Sequence, residues 1–578
     1  MSAAVLFGPR PAPGGGTLFR LWAPAAKSVD ILAPRAFPMQ AVGGGWYERV
    51  LSEAGPGTRY KFRIDGDTDV PDPASAFQPE DVLGPSEVID HRYPWTHEDW
   101  RGRPWHEASI LELHIGTLTP GGTFRAAIPE LKAIADTGFT AIELMPLADS
   151  SGRWNWGYDG ALWFAPDSAY GRPEDLKALI DAAHGLGLMV FLDVVYNHFG
   201  PEGNFLGRYA PSFFDAGAQT PWGAAIDYGV PEVRAFAVEN VLHWLRDYRF
   251  DGLRLDAVHA IARRGEPSIL QAISEAAGAF AAESGRHIHL VLENDDNNAA
   301  LLDPLTDPPA GKYRAQWNDD YHHAWHVLLT GEHHGYYRDY AQEWLGHLAR
   351  VLASGFAYQG EASIHRGRPR GEPSGHLPPT AFVSFLQNHD QIGNRARGER
   401  LETLAPAAAI EAALAVLLLA PMPPLMFQGE DWGETKPFPF FCDFKGELAA
   451  AVREGRRREF AYRGDVEPHD PISELTYEAA VLNRPASSKR RDYVSRLLHI
   501  RQAEIVPRLA NLESWSANAR HERRLIRADW RLDGGTLHLV ANLGDEPAAA
   551  ERPPGRVIWN GLPPGPMPPW SVTWTWEG

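Results

Sequence analysis

The sequence predicts a central (β/α)8 TIM barrel that lies between an N-terminal immunoglobulin-like β-sandwich and a small C-terminal β domain. Three observations predict this multidomain combination of α/β and β structure. The chain has 578 residues, several times the size of a usual domain. Both of its ends alternate apolar and polar residues with the period of short strands. Its middle part alternates short apolar runs with amphipathic helical segments.

The two end regions are interpreted as β domains because their alternating runs are short and separated by turn residues. In residues 1–90 these runs are TLFRLWAP, SVDIL, WYERVL and RYKFRIDG, and Gly, Pro and Asp cluster between them. This pattern is typical of a small β-sandwich. Residues 511–578 return to the same alternation in TLHLVANL and SVTWTW. Between them we assign residues 91–106 to a linker and residues 107–510 to a barrel with insertions.

Eight candidate strands occupy the middle region, with helical segments between them. They lie at 109–116, 140–146, 188–195, 251–257, 288–294, 312–318, 381–388 and 423–429. A doubly wound parallel sheet would show the same alternation. The count of eight favours the barrel, and so does the lack of a Gly-rich phosphate loop after any of these strands.

The composition disfavours several classes of partner. The formal net charge is −19, and an acidic surface repels nucleic-acid phosphates and anionic lipids. We therefore expect neither nucleic acid nor a membrane as a partner. The N-terminus lacks a signal-peptide layout, and the longest apolar run, 412–420, is too short to cross a bilayer, so a cytoplasmic protein is expected. The single cysteine, Cys442, excludes an intrachain disulfide.

Ionisable residues follow four of the predicted strands. The third strand ends in DVVYNH (193–198), the fourth in RLDAVH (254–259), the fifth in LEN (292–294) and the seventh in QNHD (387–390). A single aspartate after a strand is usually a turn or helix-cap residue. Four such strand ends indicate more, because the active site of this barrel type lies at the C-terminal ends of the strands.

Two of these carboxylates are expected to differ in protonation state. Arg254 and Asp256 are two residues apart on one strand, so they share a face. A neighbouring guanidinium stabilises the ionised carboxylate, which suits a nucleophile. Glu293 follows the apolar run HLVL near other carboxylates, and both conditions raise a pKa, as a general acid requires. Carboxylates with separated pKa values are typical of glycosidic bond cleavage.

The four strand ends resemble the motif regions of the α-amylase family of glycoside hydrolases. DVVYNH, GLRLDAVH, LEN and FLQNHD occur in that family's order, and FRLWAPAAKSVDIL with DPASAFQPEDVLGPSEV resembles its isoamylase-type N-terminal domain. Four further segments are similar to the members that release trehalose from the end of an α-1,4-glucan. These segments are ELHIGTLTPGGTF (112–124), RLDAVHAI (254–261), QWNDDYHH (316–323) and HDQIGNRA (389–396).

The resemblance implies a role for each matching position. Asp256 would be the nucleophile, Glu293 the acid/base and Asp390 a third carboxylate that binds hydroxyls of the distorted sugar. A retaining mechanism of this kind needs the nucleophile and acid/base carboxyls about 5–5.5 Å apart. The residues implied to hold the sugar at the cleaved bond are Arg254, His259, Tyr158, Trp156, Asp193, His198 and His389. Asp193 is equally well interpreted as a buried structural carboxylate.

Recognition of a 1,1-linked disaccharide needs polar groups beyond the cleaved bond. The candidates are Asp319, Asp320, His322 and His323 after the sixth strand, with Gln391 and Asn394 after the seventh. A site that bonds a hydroxyl rejects analogues that lack it. The other interpretation of this cluster is a solvated loop with a helix cap.

The expected substrate is an α-glucan, specifically maltooligosyltrehalose, and the resemblance implies a pathway link to a maltooligosyltrehalose synthase. No cofactor and no metal are expected. Asn197 matches a calcium-ligand position of some family members, but a second cluster of oxygen ligands is missing from the sequence. Two other functions stay open: a glycogen-branching or debranching enzyme, and a non-catalytic glucan-binding module. The presence of all three carboxylates disfavours the module.

Overall fold

The computed structural model describes residues 6–220, 223–261, 265, 267–306, 311–460, 467–510, 512, 515–561 and 564–578. The first five residues of the predicted sandwich and position 511, where the C-terminal domain was predicted to begin, lie outside these residues. The predicted domain boundaries stay predictions. Within the described ranges, every helix is too short or too polar to cross a membrane.

The predicted N-terminal β-sandwich is confirmed. Its strands are β1 (Arg10–Pro11), β2 (Thr17–Trp22), β3 (Val29–Leu32), β4 (Ala36–Pro38), β5 (Gln40–Gly43), β6 (Trp46–Leu51), β7 (Arg59–Ile64), β8 (Thr68–Val70) and β9 (Ser86–Glu87). One sheet has the order β1-β2-β6-β5, and the other has the order β4-β3-β7-β8 with β9 beside β7. Alternate side chains of β2 and β7 are buried, which accounts for the period-two pattern of their sequences.

The predicted eight-stranded barrel is also confirmed. Its strands are β10 (Ile110–Leu113), β11 (Ala141–Leu144), β14 (Met189–Val194), β17 (Gly252–Leu255), β18 (His289–Leu292), β19 (Ala315–Trp317), β22 (Phe382–Val383) and β23 (Leu425–Phe427). They are parallel in the order β22-β19-β18-β17-β14-β11-β10-β23. A parallel bridge between Ser384 and Pro424 joins the two ends. The Leu425 N–H donates to the Ser384 carbonyl there at 2.8 Å, so the barrel closes.

Three hairpins interrupt the barrel sequence. They are β12 (Ala148–Asp149) with β13 (Leu162–Pro166), β15 (Phe214–Thr220) with β16 (Gly223–Ile226), and β20 (Ala362–Ser363) with β21 (Arg368–Pro369). The third hairpin lies between the sixth and seventh barrel strands. It carries basic side chains toward the C-terminal ends of the barrel strands, where the predicted site residues lie.

The helices follow the strands as the sequence predicts. They are α1 (Ile115–Leu118), α2 (Phe124–Thr137), α3 (Pro173–Gly185), α4 (Leu206–Tyr209), α5 (Pro231–Asp247), α6 (Ile269–Ser284), α7 (Asp319–Thr330), α8 (Trp344–Ser354), α9 (His389–Gly393), α10 (Leu401–Leu404), α11 (Ala407–Leu419), α12 (Gly446–Phe460), α13 (Glu474–Ala480) and α14 (Lys489–Ile500). Helix α2 begins at Thr123, whose side chain accepts the Ala126 N–H, and ends at Gly138 with φ of 111°.

The C-terminal β domain is an antiparallel sheet packed on the barrel. Its strands are β24 (Ser516–Glu522), β25 (Leu525–Leu532), β26 (Gly535–Asn542), β27 (Arg556–Trp559) and β28 (Ser571–Glu577), in the order β24-β25-β26-β28-β27. Two stacked tryptophans fix it in place. Trp530 donates its indole N–H to Leu352 of α8 at 2.9 Å, and Trp574 donates to Ala415 of α11 at 3.1 Å. Residues 412–419 of α11 are all buried, which explains their continuous apolar sequence.

Candidate active site

A cavity of about 540 Å³ opens at the C-terminal ends of the barrel strands. Twelve of the sixteen predicted site residues line it: Trp156, Tyr158, His198, Asp256, His259, Glu293, Asp319, His323, His389, Asp390, Gln391 and Asn394. Arg254, Asp193, Asp320 and His322 do not line the cavity and lie behind its wall. The three predicted catalytic carboxylates thus share one cavity.

Arg254 connects the carboxylates from inside the barrel. Its side chain is 1% exposed and packs 4.2 Å over the ring of Trp317. Nη1 donates to both oxygens of Asp193, at 2.8 and 2.7 Å, and to Asp256 Oδ1 at 2.7 Å. Nη2 lies 3.8 Å from Glu293 Oε2. One guanidinium therefore orients side chains from strands β14 and β17 and from the end of β18.

Asp256 is held on both of its oxygens and still reaches the cavity. Oδ1 accepts the bond from Arg254, and Oδ2 accepts a bond of 3.0 Å from the Asn197 amide. The side chain keeps 15% exposure. Ala257, the next residue, has φ of 44°, so the chain turns sharply directly after the carboxylate. Two hydrogen-bond donors and an open approach suit a carboxylate that is held in place to attack a ligand in the cavity.

Glu293 occupies a different electrostatic environment in the same cavity. Burial raises its pKa well above the usual range, and Asp256, Asp319 and Asp390 raise it further, while Arg254 opposes them. Its Oε2 accepts the Ala257 backbone N–H at 2.5 Å. A carboxyl group in this environment stays protonated to higher pH than an ordinary glutamate does. The pair can act as proton donor and anion.

A hydrogen-bonded chain joins His389 to the carboxylates. The His389 Nδ1–H donates to Glu112, which is 1% exposed, and its Nε2–H donates to the Tyr158 hydroxyl at 2.8 Å. The Tyr158 hydroxyl donates in turn to Asp193 Oδ2 at 2.5 Å. Burial opposes the charge of His389, but the Glu112 and Asp390 carboxylates outweigh it and raise the His389 pKa. Burial also raises the pKa of Asp193 to about 7, against the effect of Arg254.

Asp390 lies at the open side of the cavity, with its side chain 48% exposed. It is in the first turn of α9, where Asn388 Oδ1 accepts the backbone N–H groups of Asp390 and Gln391. The Asn394 amide donates to Asp390 Oδ1 at 3.1 Å and its oxygen accepts from Arg456. The capped helix therefore points this carboxylate at the cavity while keeping it solvated.

Other wall residues are fixed by their surroundings. The Trp156 indole stacks on Phe438, with ring centroids 5.4 Å apart, and donates to the Pro439 carbonyl. The His198 Nε2–H donates to the Tyr158 carbonyl at 2.9 Å. His259 Nδ1 accepts the backbone N–H of Asp295 at 3.4 Å. Burial lowers the pKa of both His198 and His259, so each is neutral near pH 7.

The expectation that Asp320 and His322 line the site is corrected by the structure. Asp319 begins α7 and faces the cavity, so the next residue turns by about 100° toward the core. Asp320 is fully buried, and it accepts bonds from Tyr340 at 2.5 Å and Arg370 at 2.6 Å. Those partners keep its pKa low despite burial. His322 bonds the Leu386 carbonyl and the Tyr337 hydroxyl in the core.

Asp319 and His323 do line the cavity, one turn apart on α7. Burial raises the Asp319 pKa to about 7; Arg370 opposes this, and neighbouring carboxylates add to it. His323 is also largely buried, and its ring lies 4.9 Å from both Tyr336 and Tyr340. The solvated-loop interpretation of this segment is therefore wrong for these two residues.

Sequence reasoning missed the other residues that line the cavity. Besides Ala257 there are ten: Asp159, Asp295, Tyr336, Asp339, Tyr340, His365, Arg366, Arg370, Phe440 and Arg456. Arg370 donates to Asp295 at 3.1 Å and to the Tyr340 hydroxyl at 2.7 Å. The available signal was the basic run HRGRPR (365–370), which is unusual in an acidic chain.

Profiles of known protein families match three parts of the chain. Residues 6–79 match the carbohydrate-binding module 48, the isoamylase N-terminal domain. Residues 89–212 match the catalytic domain of α-amylase. Residues 514–574 match a domain of unknown function, DUF3459. The three matches follow the order of the sandwich, the barrel and the C-terminal sheet.

Relatives with a known name extend the likeness over most of the chain. A malto-oligosyltrehalose trehalohydrolase of Deinococcus radiodurans is 45% identical over 489 residues, which cover 82% of this chain and 78% of the relative. The chain belongs to the malto-oligosyltrehalose trehalohydrolase family. A trehalohydrolase of Rhizobium sp. (strain M-11) is 39% identical over 571 residues, 94% of each chain. The resemblance to the α-amylase family is thereby confirmed, and this trehalohydrolase-family chain is a glycoside hydrolase.

A solved structure supports the same conclusion for the fold. A crystal structure described provisionally as an alpha amylase from Salmonella typhimurium has a TM-score of 0.95 and 44% identity, covering 99% of both chains. The sandwich, the barrel and the C-terminal sheet of this trehalohydrolase-family member therefore share one arrangement with a protein determined by crystallography.

Proposed function

We propose that the chain cleaves the α-1,4-glucosidic bond next to the terminal trehalose of maltooligosyltrehalose and releases trehalose and a maltooligosaccharide. One observation carries this proposal: Asp256 and Glu293 line one cavity and contact one guanidinium, yet differ in their surroundings. The names of the relatives, malto-oligosyltrehalose trehalohydrolase, indicate the substrate.

The reaction follows from the two environments. Glu293, protonated, gives its proton to the glycosidic oxygen as Asp256 attacks the anomeric carbon. The bond to trehalose breaks, trehalose leaves with that proton, and the glucan stays on Asp256 as a covalent ester. Glu293, now ionised, takes a proton from water, and the resulting attack frees the glucan with its α configuration retained.

The other wall residues are assigned to the sugar that is cleaved. Asp390, solvated and aimed by the capped α9, is placed to accept hydroxyl hydrogens of that sugar. Tyr158 and Trp156 offer ring surface, and His259 offers its Nε2, because its Nδ1 is already bonded. His198 and His389 line the same wall with their ring nitrogens bonded to protein groups, so they position Tyr158 and shape the wall. Arg254 and Asp193 act from behind the wall by holding Asp256 and Tyr158.

Trehalose recognition is assigned to the wall formed by α7 and α9. Asp319, His323, Gln391 and Asn394 line the cavity on the side of these helices. A polar wall of this kind favours a ligand whose hydroxyls match it, since a mismatched ligand leaves polar groups unpaired. Asp320 and His322 are not assigned to this wall, because they bond core groups.

Product analysis tests the proposal directly. Maltotriosyltrehalose and maltopentaose are each incubated with the protein, and the sugars are separated. Trehalose from the first, with slow cleavage of the second, is the expected result. New or cleaved α-1,6 branches on a branched glucan would favour the branching or debranching alternative. Glu293→Gln serves as the control for contaminating hydrolases, and the anomer first formed reports retention or inversion.

The reaction also places the chain in a sequence of steps. Its substrate ends in a 1,1-linked, nonreducing trehalose unit, so an enzyme of the maltooligosyltrehalose synthase type must supply it. We also propose a cytoplasmic location for the chain, in keeping with its acidic sequence.

A further inference from the structure

Two histidines and an aspartate meet outside the cavity, where the segment after the N-terminal sandwich crosses helix α5. His91 belongs to that segment, and His243 and Asp247 lie one turn apart on α5. One nitrogen or oxygen of each residue lies within 4.8 Å of the others. It is the only group of three or more His, Cys, Asp or Glu ligands with this spacing in the part of the chain that the structure describes.

The hydrogen bonding of His243 fixes which nitrogen carries a proton. Its Nε2 lies 3.0 Å from the carbonyl oxygen of Phe164, which can only accept, so Nε2 carries the hydrogen. Its Nδ1 lies 3.0 Å from Asp247 Oδ2. In the neutral ring this Nδ1 would turn a lone pair toward a carboxylate. Either a second proton or a cation must lie between them.

His91 presents a second nitrogen to the same place. Its ring is perpendicular to that of His243, with centroids 5.3 Å apart. Its Nδ1 is buried, and none of the described residues bonds it. A buried polar atom without a partner is costly unless a ligand satisfies it. The backbone carbonyl of His91 is already occupied, because Lys177 donates to it at 2.7 Å.

We propose that His91, His243 and Asp247 bind one divalent transition-metal ion, with Zn²⁺ as the natural occupant. Two imidazoles and a carboxylate are a usual zinc ligand set, with a water as the fourth ligand. A carbonyl that accepts the second ring N–H, as Phe164 does for His243, is the usual outer partner of a metal-bound histidine.

The geometry needs only a small adjustment. Zinc bonds of about 2.0–2.1 Å place tetrahedral ligands about 3.4 Å apart, and the His243 and Asp247 atoms are already 3.0 Å apart. The His91 nitrogen lies within 4.8 Å of both atoms, so a shift of its ring by about 1–2 Å would complete the set. Arg246 also contacts Asp247, at 3.2 Å, but its side chain is 39% exposed and free to turn into solvent.

The role expected for this ion is structural. It would tie the segment at His91 to the barrel helix α5, and so hold the sandwich on the barrel. The site does not share a residue with the cavity, so its failure would leave the proposed function untouched, and the reverse also holds.

The test uses the full-length chain, stripped with a chelator and then passed through a desalting column after addition of Zn²⁺. We expect about one zinc ion per chain by elemental analysis, a higher unfolding temperature, and the intense visible absorption of four-coordinate Co²⁺ after substitution. His91→Ala and Asp247→Asn should each weaken binding at least about tenfold, since loss of even an outer partner costs that much.

His538→Ala is the matched control, because His538 contacts two carboxylates in the C-terminal sheet without a second histidine. It should bind zinc as the unchanged chain does. Absence of bound zinc in the unchanged chain would overturn the proposal, and so would His91→Ala and Asp247→Asn variants that bind zinc as tightly as the unchanged chain. Asp247→Asn preserves the side-chain shape, so a folding defect in the alanine variant does not obscure the result.

Discussion

Replacing Glu112 with Gln tests how the buried carboxylate controls His389. Glu112 accepts the Nδ1–H of His389, and its second oxygen accepts the His389 backbone N–H at 3.2 Å. The amide keeps the size and can keep the backbone bond, but it removes the charge. Burial then dominates at His389 and lowers its pKa, whereas the Glu112 charge raises it in the unchanged chain.

The sign of the pH dependence follows. The His389 pKa in the folded protein is above its unfolded value of about 6.5. Its charged contact with Glu112 therefore stabilises the fold fully below about pH 6.5, and this contribution is lost as the pH rises through the raised value. A hydrogen bond to a charged group contributes about 1.5–3 kcal/mol. Glu112→Gln should lower the free energy of unfolding by this amount near pH 6 and by clearly less near pH 9.

Urea unfolding of both proteins over that pH range measures the effect, with tryptophan fluorescence as the signal. Glu332→Gln is the matched control, because Glu332 accepts from His326 at 2.8 Å and does not line the cavity. Glu332→Gln should be less stable than the unchanged chain but should keep its pH profile of kcat/KM. Glu112→Gln should shift that profile. A stability difference between wild type and Glu112→Gln that is the same at every pH would refute the reasoning.

Four further changes give distinct outcomes. Glu293→Gln should lose at least about 10²-fold in kcat while its urea unfolding stays unchanged. The kcat of the unchanged chain should fall as the pH rises through the raised Glu293 pKa, because the acid must be protonated. A pH–rate profile of both proteins checks these two expectations. Asn197→Ala removes a bond to the Asp256 carboxylate, so kcat/KM should fall about 10–150-fold, whereas an unchanged value would exclude an orienting role. Gly393→Ala places a methyl group 1.9 Å from the Trp156 ring and should destabilise by about 1–3 kcal/mol in a urea titration. Asp319→Ala should reduce trehalose release more than cleavage of plain maltodextrin, and equal losses on the two substrates would contradict its assignment.

Local patterns were sufficient to predict the architecture of the fold. All eight predicted barrel strands occur in the expected order, because buried parallel strands are short apolar runs between turn residues. Their ends were less predictable. The run 381–388 contains only Phe382–Val383 as a strand, because the chain turns early and Asn388 caps α9. That turn depends on side-chain bonds that no period in the sequence reveals.

Site residues that directly follow barrel strands could be predicted from the sequence, whereas site residues from other parts of the chain could not. Asp256, Glu293 and Asp390 share a cavity because barrel strands end at one face. Arg370 reaches the same cavity on a hairpin between two strands, which strand patterns do not indicate. Glu112 meets His389 across 277 positions. Asp319 and Asp320 differ because successive residues of helix α7 point about 100° apart, so that Asp319 faces the cavity and Asp320 faces the core.

The buried guanidinium at position 254 has a consequence for engineering. Because Arg254 contacts carboxylates on three adjacent barrel strands, the alignment of the reacting groups depends on the barrel interior as well as on loop donors such as Asn197. In the segment after the third hairpin, Arg370 must be kept in any redesign, because it pairs with the buried Asp320, whereas Arg366 pairs with the partly exposed Asp295 and Asp296. For the same reason, we expect kcat to be lost together with the barrel structure on heating and not at temperatures below the unfolding transition.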